Sequence, residues 1–595
     1  MIQIKEKIEK ELLNILKDMG IDTQIVIVEA PNDITHGDFT SNISMQISKD
    51  LKSNPMDIAN EIVSKFPKDD DFEKVEVVRP GFINFFLSEK YLLNMLKDIN
   101  TQKEEYFKLN IKNGKKYVIE YTDPNPFKTL HIGHLYTNMV GESFARLVEA
   151  LGASVARANY QGDVGLHVAK TLWGLFQMLK DDKITFEDLK RKSLVDRVRY
   201  LGEAYMLGFK KYDDEKDENV IQDVKNLNYY IFSLHIPSLE KKEYFQDLES
   251  KNIKEMYLDG RDWCMEYFEK IYERTGTKFD KYYLESEMGE RGLNIVNENI
   301  DGRGKNIFKQ SEGSVIYEGD EKKGLHTRVF VNNQGLPTYE AKELALAFKK
   351  FEELSFDESV VITADEQSSY FRVVFDALSQ LNTEVAKKSL HFAHGMVKLP
   401  GAEKMSSRKG KIIEGEWLLD ETKKKVEELM SLNEKWSKEE ISKVSDTIAV
   451  AAIKYSFIKV TVGKDVIFDL EKATSFDGDT GPYLLYVYAR CRSILTSTQE
   501  VKDVNYNLPI NPFTKELLRV ISRYEDVLLT SALNYSPSTL CSYLFDLGQT
   551  FSTFYQNVHV LDSDQSQFLV KVVEATSQTM KHGLNVLGID VVERM

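Results

Sequence analysis

The hydrophobic and polar positions of the chain change their spacing along its length and predict three structural regions. Residues 1–108 mix amphipathic helical patterns with short strand-like runs, which is typical of a small α+β domain. Residues 109–414 alternate strands with helices, and residues 415–595 carry helical patterns. Residues from about 171 to 325 are mostly helical and charged, and we interpret them as an insertion into the middle region.

The stretch 116–143 has the clearest pattern. An apolar run over 117–121 predicts a short strand, which Pro124 and Pro126 end. Apolar positions spaced three and four residues apart then predict a helix that begins near Ile132. The order is therefore strand, loop and helix.

The same order recurs along the middle region. A second strand pattern over 154–160 leads into a Gly-x-x-Gly turn at 162–165 and another helix, and strand patterns return at 327–331, 360–363 and 391–397. Strands that alternate with helices indicate a parallel sheet. We therefore predict an α/β fold with a doubly wound, Rossmann-like parallel sheet, a class that binds ligands beyond the carboxyl ends of its strands.

Two histidines, His131 and His134, lie three residues apart at the predicted helix start and share one face. Unpaired N–H groups and the positive end of the helix dipole are expected at the same place. Most histidine pairs at this spacing are ordinary surface or core residues, but the strand before and the helix after favour a functional role. The arrangement predicts a site for an anion, and a phosphate group suits it.

A second candidate for phosphate binding lies at residues 398–411, which contain five lysines or arginines and one acidic residue. A mobile cationic loop fits a triphosphate whose charge must be stabilised in the transition state. Considered alone, this stretch is more typical of a solvated surface loop.

Bulk composition narrows the classes of protein. At 595 residues the chain is too long for a single core. A net charge of −16 counts against a purely electrostatic nucleic-acid binder but allows a local basic patch. Three scattered cysteines argue against a zinc site or a disulfide scaffold and favour a reducing, cytoplasmic location. We expect no structural metal and no membrane span, and the first twenty residues predict an amphipathic helix, not a targeting peptide.

Specific motifs add a family resemblance. The segments His131-Ile132-Gly133-His134 and Lys404-Met405-Ser406-Ser407 resemble the two signatures of class I aminoacyl-tRNA synthetases. Their surroundings resemble the arginyl-tRNA synthetase family, through Glu120-x4-Asn125-x2-Lys128-x2-His131, through His36-Gly37-Asp38-Phe39-x2-Asn42 and Gly81-Phe82-Ile83-Asn84, and through residues 476–483.

The resemblance implies a reaction. Members of the family activate arginine with ATP and Mg²⁺ to arginyl-adenylate, release pyrophosphate, and transfer arginine to the 3′ end of tRNA(Arg), generally with tRNA bound first. It also implies the regions: a tRNA-binding domain at 1–108, a catalytic domain at 109–414 and a helical anticodon-binding domain at 415–595. By family habit we expect a monomer.

The resemblance assigns roles to individual residues. Catalysis falls to His131, His134 and Lys404. The ATP site is matched by Lys128, Gly133, His134, Lys404, Met405, Ser406 and Ser407. The arginine pocket is matched by Glu120, Asn125, Tyr339, Glu343 and Gln367. Contacts with tRNA are predicted for Phe82, Asn84, Tyr488 and Arg490, the last pair because tyrosines beside arginines can stack on unpaired bases.

Two departures and several alternatives accompany this interpretation. Glu343 stands where the family usually has aspartate, and Ser407 stands where it usually has a second lysine. One alternative is another class I synthetase, such as the glutamyl or cysteinyl enzyme. The others are a small-molecule nucleotidyltransferase with the same helix start and a non-catalytic tRNA-binding protein.

Overall fold

The computed structural model describes residues 2–21, 23, 25–31, 33–400, 413–431, 436–498, 504–506 and 509–595. The chain divides into two compact units. One contains residues 1–110 and 475–595, and the other contains residues 111–474. Among the described residues, no helix is both long and apolar enough to cross a membrane.

The N-terminal part of the first unit is an α+β module. Its helices are α1 (Ile2–Asp18), α2 (Ile43–Leu51), α3 (Pro55–Lys65) and α4 (Glu89–Gln102). Its strands, β1 (Val28–Glu29), β2 (Phe39–Ser41), β3 (Phe72–Val78) and β4 (Phe82–Leu87), form an antiparallel sheet in the order β1-β2-β4-β3. The predicted opening helix buries Ile4, Ile8 and Leu12 on one face, as their spacing requires.

The second unit is built on a five-stranded parallel sheet in the order β12-β11-β5-β6-β7. These strands are β5 (Lys116–Glu120), β6 (Ser154–Gln161), β7 (Lys281–Leu284), β11 (Glu358–Ala364) and β12 (Ser389–His394). A smaller antiparallel sheet contains β8 (Phe308–Ser311), β9 (Ser314–Tyr317) and β10 (Arg328–Val331). The chain leaves β5 toward β6 and returns on its other side as β11, so the switch point of the sheet lies between β5 and β11.

Helices surround the main sheet. Those before β11 are α5 (Ile132–Ala150), α6 (Leu166–Asp181), α7 (Phe186–Lys190), α8 (Leu194–Phe209), α9 (Glu218–Ser233), α10 (Phe245–Ser250), α11 (Ile253–Arg274), α12 (Glu285–Glu298) and α13 (Tyr339–Leu354). A π-helical turn, Lys210–Asp214, continues α8. After β11 come α14 (Ser368–Leu381), α15 (Thr383–Lys387), α16 (Gly415–Met430), α17 (Lys438–Ile458) and α18 (Leu470–Ala473).

The observed borders differ from the expected ones at two places. The segment predicted as an insertion at 171–325 contains β7, which extends the main sheet by pairing with β6. Residues 415–474, which we expected among the C-terminal helices, belong to the unit that holds the main sheet. They are tied to it by hydrogen bonds from Gly415 N to Leu130 O (2.7 Å) and by pairing of β13 (Val397–Lys398) with β14 (Val466–Ile467). Helical periodicity alone carries no information about such long-range contacts.

The C-terminal part of the first unit is helical. It contains α19 (Gly481–Thr496), α20 (Pro512–Ser522), α21 (Tyr524–Leu533), α22 (Pro537–Asn557) and α23 (Ser566–Val586). Asn511 caps α20 by accepting a hydrogen bond from Thr514 N, and Pro512 occupies the first helical position, where its missing N–H has no cost. The predicted fold class, a parallel α/β sheet with an α+β module before it and helices after it, is confirmed.

Asp38 explains the His-Gly-Asp-Phe motif of the N-terminal module. Its carboxylate is fully buried, with Oδ2 accepting from Leu87 N (2.8 Å) and Oδ1 from Arg519 Nε (2.7 Å). A buried carboxylate is stable only when charged partners and N–H donors replace water. Asp38 therefore joins the end of β4 to α20 within one unit.

Replacement of Asp38 by alanine should destabilise the first unit by about 3–5 kcal/mol, because it breaks a buried ion pair. Urea unfolding followed by far-ultraviolet circular dichroism should show an earlier transition. Tryptophan emission provides an internal control, because Trp173, Trp263, Trp417 and Trp436 all belong to the other unit.

Asp70→Ala is the matched variant, since Asp70 pairs with Lys90 at 2.7 Å while 83% of its side chain is exposed. It should cost less than about 1 kcal/mol. Equal effects of the two substitutions would contradict the role given to Asp38.

Candidate active site

The loop between β5 and α5 has an unusual backbone. Thr122, Asp123 and Phe127 have positive φ values of 77°, 42° and 68°, a region that residues other than glycine rarely adopt. Two contacts hold the loop: Asp123 Oδ1 accepts from Tyr160 N (2.7 Å), and Phe127 N donates to Cys264 Sγ (3.1 Å). The loop is thus fixed at the carboxyl end of β5, where a sheet of this class binds its ligand.

His131 and His134 form the start of α5. His131 is the N-cap residue, and its Nδ1 accepts from Gly133 N (3.1 Å) and His134 N (3.3 Å). His134 Nδ1 accepts in turn from His131 N (3.4 Å), and the two rings stack with centroids 3.7 Å apart. The pair is a capping box made of histidines.

This cap corrects one expectation about the helix start. We predicted unpaired N–H groups there, but Gly133 N and His134 N are bound to His131, and Ile132 N donates to Ile413 O (2.9 Å). An anion at this position therefore meets the imidazole rings before the backbone amides.

Both rings are neutral. Burial, followed by the nearby charge of Lys128, lowers the pKa of His131 to about 4, and burial, followed by His131, holds the pKa of His134 well below its ordinary value. Because each Nδ1 accepts a backbone hydrogen bond, the single proton of each neutral ring resides on Nε2. The helix start therefore offers two N–H donors without a full charge.

Gly133 is required by this arrangement. A Cβ atom at position 133 would lie 2.9 Å from His131 Cε1 and 3.0 Å from its Nδ1. Any larger residue would push the His131 ring away from the amides that it caps.

A cavity of about 560 Å³ opens over the carboxyl ends of β5 and β11. It is lined by all the residues predicted to bind arginine and by the histidine helix start. The predicted residues on its wall are Glu120, Asn125, His131, Gly133, His134, Tyr339, Glu343 and Gln367. The structure thus brings together side chains from β5, α5, α13 and the segment after β11.

Of the other predicted nucleotide-binding residues, Lys128 is the one that lies among the described residues. Lys404, Met405, Ser406 and Ser407 fall outside the described residues. Lys128 Nζ lies over the ring of Tyr205, 4.4 Å from its centroid, and burial together with the charge of Lys170 lowers the pKa of Lys128 to about 8. Lys128 does not line the cavity.

Asp123 and Glu285 are wall residues that sequence reasoning missed. Asp123 stands inside the motif that identified Glu120 and Asn125, so its position was a usable signal. Glu285 follows β7 directly, and the carboxyl end of a parallel strand is a second signal, but it required recognition of β7 within the apparent insertion.

Buried ion pairs stabilise two of the carboxylates. Lys350 Nζ lies 2.6 Å from Glu120 Oε2, with 3% and 1% of the two side chains exposed. Lys342 forms a similarly buried pair with Glu285. Each lysine gives a buried carboxylate a charged partner in place of water.

Glu343 has no such dedicated partner. Burial, followed by repulsion from Glu120, raises the pKa of Glu343 to about 8. At neutral pH Glu343 is therefore mainly protonated, and a bound cation would favour the ionised form.

The residues predicted to contact tRNA differ in exposure. Asn84 is 2% exposed and accepts from Thr40 Oγ1 (2.7 Å), and Tyr488 is 3% exposed and donates to Glu593 (3.0 Å). Burial favours a structural role for both. Phe82 is only partly buried, and Arg490 lies over Tyr486 and Tyr555, 4.5 Å and 4.8 Å from the ring centroids. Their role in tRNA binding stays a prediction.

The parallel sheet, the capped histidine pair and the acidic cavity at the switch point define an α/β site for a phosphate-bearing ligand and a cationic one. Residues 95–470 match the family model for the catalytic domain of class I tRNA synthetases of the arginine type. Residues 3–87 match the arginyl tRNA synthetase N-terminal domain, and residues 484–595 match the DALR anticodon binding domain. The chain therefore belongs to the class I aminoacyl-tRNA synthetases and, within them, to the arginyl-tRNA synthetase family.

The chain resembles several relatives and solved structures over almost its whole length. The chain is 29% identical to an arginine–tRNA ligase of Flavobacterium psychrophilum, over 91% of this chain and 90% of the relative. It is also 29% identical to an arginine–tRNA ligase of Borreliella afzelii, over 100% of this chain and 99% of the relative. The fold is shared with the arginyl-tRNA synthetase of Thermus thermophilus, with a TM-score of 0.78 and 22% identity over 99% of this chain and 100% of that one. It is also shared with the enzyme of Plasmodium falciparum, with a TM-score of 0.77 and 20% identity over 100% of this chain and 99% of that one.

The titration of Glu343 predicts how arginine binding depends on pH. If Glu343 binds the guanidinium group, as the family resemblance predicts, binding below pH 8 must displace a proton from this residue, whose pKa is about 8. The Michaelis constant for arginine should therefore fall as pH rises, by up to about tenfold per unit, and level off above that pKa.

Amino-acid-dependent exchange of pyrophosphate into ATP measures this constant over the pH range. In Glu343→Gln this group cannot titrate, so the slope should become shallower. A constant that is flat in the parent chain, or that rises with pH, would contradict the assignment.

Proposed function

We propose that this chain activates L-arginine with ATP and transfers it to the 3′ end of tRNA(Arg). The observation that supports this most directly is that one cavity joins the histidine helix start to a set of buried carboxylates. Neutral N–H donors suit phosphate oxygens, and carboxylates suit a cationic side chain.

The guanidinium group of arginine is a planar fork of five N–H donors, which carboxylates accept best in pairs. Glu343 is available to it, while Glu120 has one oxygen committed to Lys350. Tyr339, Asn125 and Gln367 add polar groups on the cavity wall. The extra methylene of Glu343, relative to the aspartate usual in the family, lets its carboxylate extend further from α13.

At the other end of the cavity, Nε2–H of His131 and of His134 would donate to the phosphates of ATP. A carboxylate oxygen of arginine attacks the α-phosphorus, the bond to the β-phosphate oxygen breaks, and pyrophosphate departs. We expect Lys404 to neutralise the leaving pyrophosphate, with Mg²⁺ accompanying the phosphates of the substrate ATP. The protein supplies position and charge stabilisation, because the substrates supply the nucleophile.

The second step uses a ribose hydroxyl of tRNA as nucleophile. It attacks the arginyl carbonyl carbon, and AMP leaves. Phe82, Asn84, Tyr488 and Arg490 are the proposed tRNA contacts, with Phe82 and Arg490 favoured by exposure. Cys264, Cys491 and Cys541 are buried thiols outside any disulfide, which fits action in the reducing cytoplasm. We propose a monomer as the acting species.

The direct test is exchange of labelled pyrophosphate into ATP with each amino acid, with and without tRNA. We expect exchange with arginine that depends on added tRNA. Exchange with glutamate or cysteine in place of arginine would favour another class I synthetase, and binding of tRNA without any exchange would favour a non-catalytic protein.

His131→Asn separates the chemical role of His131 from its structural one. Asparagine is a good N-cap residue, so its side-chain oxygen can still accept from the first amides of α5. The variant lacks the Nε2–H donor, and the rate of arginine-dependent exchange should fall by about 10²–10³-fold. An unchanged melting temperature shows that the cap survives, and an unchanged exchange rate would contradict the proposed role.

Glu343→Gln tests the arginine end of the cavity. Loss of a charge-assisted hydrogen bond to the guanidinium should raise the Michaelis constant for arginine by about ten- to a hundredfold. Glu352→Gln is the matched control, because Glu352 lies on the same helix but forms an exposed pair with Arg291 at 2.6 Å. If the two variants bind arginine equally well, Glu343 does not recognise it.

A further inference from the structure

His394 ends the edge strand β12 and lies on the cavity wall together with Thr137 of α5. Both residues are nearly covered, with 2% of His394 and 7% of Thr137 exposed. His394 Nε2 lies 2.7 Å from Thr137 Oγ1, and its Nδ1 lies 2.7 Å from Gly395 O. These contacts hold the imidazole ring between the end of β12 and the second turn of α5.

The carbonyl of Gly395 determines where the ring carries its proton. A carbonyl oxygen only accepts, so Nδ1 of His394 is the donor in that bond. Burial, partly offset by the same bond, lowers the pKa of His394, so the ring is neutral near pH 7 and its Nε2 keeps a lone pair. The hydroxyl of Thr137 must therefore donate to Nε2.

Thr137 connects this ring to the first turn of α5. Its hydroxyl also lies 3.0 Å from Gly133 O, but that carbonyl already accepts the backbone N–H of Thr137, as in any α-helix. The single hydroxyl proton is therefore available to His394. Gly133 N in turn donates to His131 Nδ1 (3.1 Å). The link from β12 thus ends at the turn that carries the histidine pair.

A second contact joins the same strand to the same helix. The ring of Tyr136 lies edge-on to the ring of His394, with the centroids 4.7 Å apart. Two successive residues of α5 therefore touch the last residue of β12. Because an edge strand pairs with the sheet on one side, such contacts help to determine the place of its carboxyl end relative to the helix.

We propose that His394 and Thr137 are positioning residues for the two histidines that bind the phosphates of ATP. They hold the first turn of α5 in place and act through the Nε2–H donors of His131 and His134. This assignment rests on the proposed function of that pair. Hydrogen bonds weaken steeply when a donor is displaced or turned, so loss of the link should weaken nucleotide binding and leave arginine binding unchanged.

Three threonine variants test the hydroxyl. Thr137→Val removes it and keeps the shape of the side chain, whereas Thr137→Ser keeps it. Thr422→Val is the matched control, because Thr422 is fully buried in a helix and its hydroxyl also donates to the carbonyl four residues before it, Leu418 O (2.7 Å). Thr422 does not line the cavity.

Two amide variants separate the two bonds of His394. Glutamine can place its side-chain oxygen near the position of Nε2 and accept from Thr137. Asparagine is shorter, so its amide can replace only Nδ1 and donate to Gly395 O. His394→Gln should therefore bind nucleotide more tightly than His394→Asn.

Calorimetric titration with α,β-methylene-ATP gives the dissociation constant of a nucleotide that cannot release pyrophosphate. The stoichiometry reports the folded fraction, on which the constant does not depend. In Thr137→Val and in His394→Asn the constant should rise by about three- to tenfold, and Thr137→Ser should recover most of the affinity. The Michaelis constant for arginine in pyrophosphate exchange should stay within about twofold of the parent value, and Thr422→Val should change neither constant.

The double variant Thr137→Val, His394→Asn should bind no more weakly than the weaker of its single variants, because both changes break one link. An unchanged dissociation constant in Thr137→Val, an equal rise in Thr422→Val, equal binding by the two amide variants or additive losses in the double variant would overturn the assignment. If the parent chain binds the nucleotide but shows no arginine-dependent exchange, the proposed reaction fails, while the binding constants still decide the role of Thr137 and His394.

Discussion

The removal of carboxylates from water at the end of β5 is the constraint on which the rest of the site depends. Glu120 is almost completely buried at the centre of the sheet, and Lys350 from α13 forms an ion pair with it at a distance of 2.6 Å. That pair fixes α13 against the sheet and so determines where Tyr339 and Glu343 stand. Glu343 is also buried and has no ion-pair partner among the described residues, which is why a cationic ligand is favoured there.

The histidine pair at the start of α5 offers uncharged hydrogen-bond donors, in contrast to the carboxylates. Its rings are kept neutral by burial, and their Nδ1 atoms are used to cap the helix, so each can present only one donor, in one direction. Buried carboxylates and uncharged N–H donors line the same cavity, and they suit different parts of a ligand. The strained loop of residues 121–131 connects β5 to α5, and its fixed geometry holds the histidine pair relative to the carboxylate at the end of β5.

Local sequence predicted much of the architecture. The alternation of apolar runs and helical patterns was sufficient for the parallel sheet, because a buried parallel strand and an amphipathic helix leave different periods. It failed for β7, a four-residue edge strand inside a mostly helical segment. It also placed residues 415–474 with the C-terminal helices, since the contacts that attach them to the unit of the sheet, such as Gly415 N to Leu130 O, join residues far apart in sequence.

The sequence by itself determined the fold class and the family, because these depend on periodicity and on motifs whose members lie close together in the chain. Through the family resemblance it also named five residues, between Glu120 and Gln367, that line one cavity. Only the tertiary structure decided which carboxylates have a partner. Glu120 and Lys350 are separated by 230 residues in the sequence. Asp123, just after β5, accepts a hydrogen bond from the backbone N–H of Tyr160 on the neighbouring strand β6. Protonation, burial and charge balance depend on distances in space, and a linear pattern does not contain them.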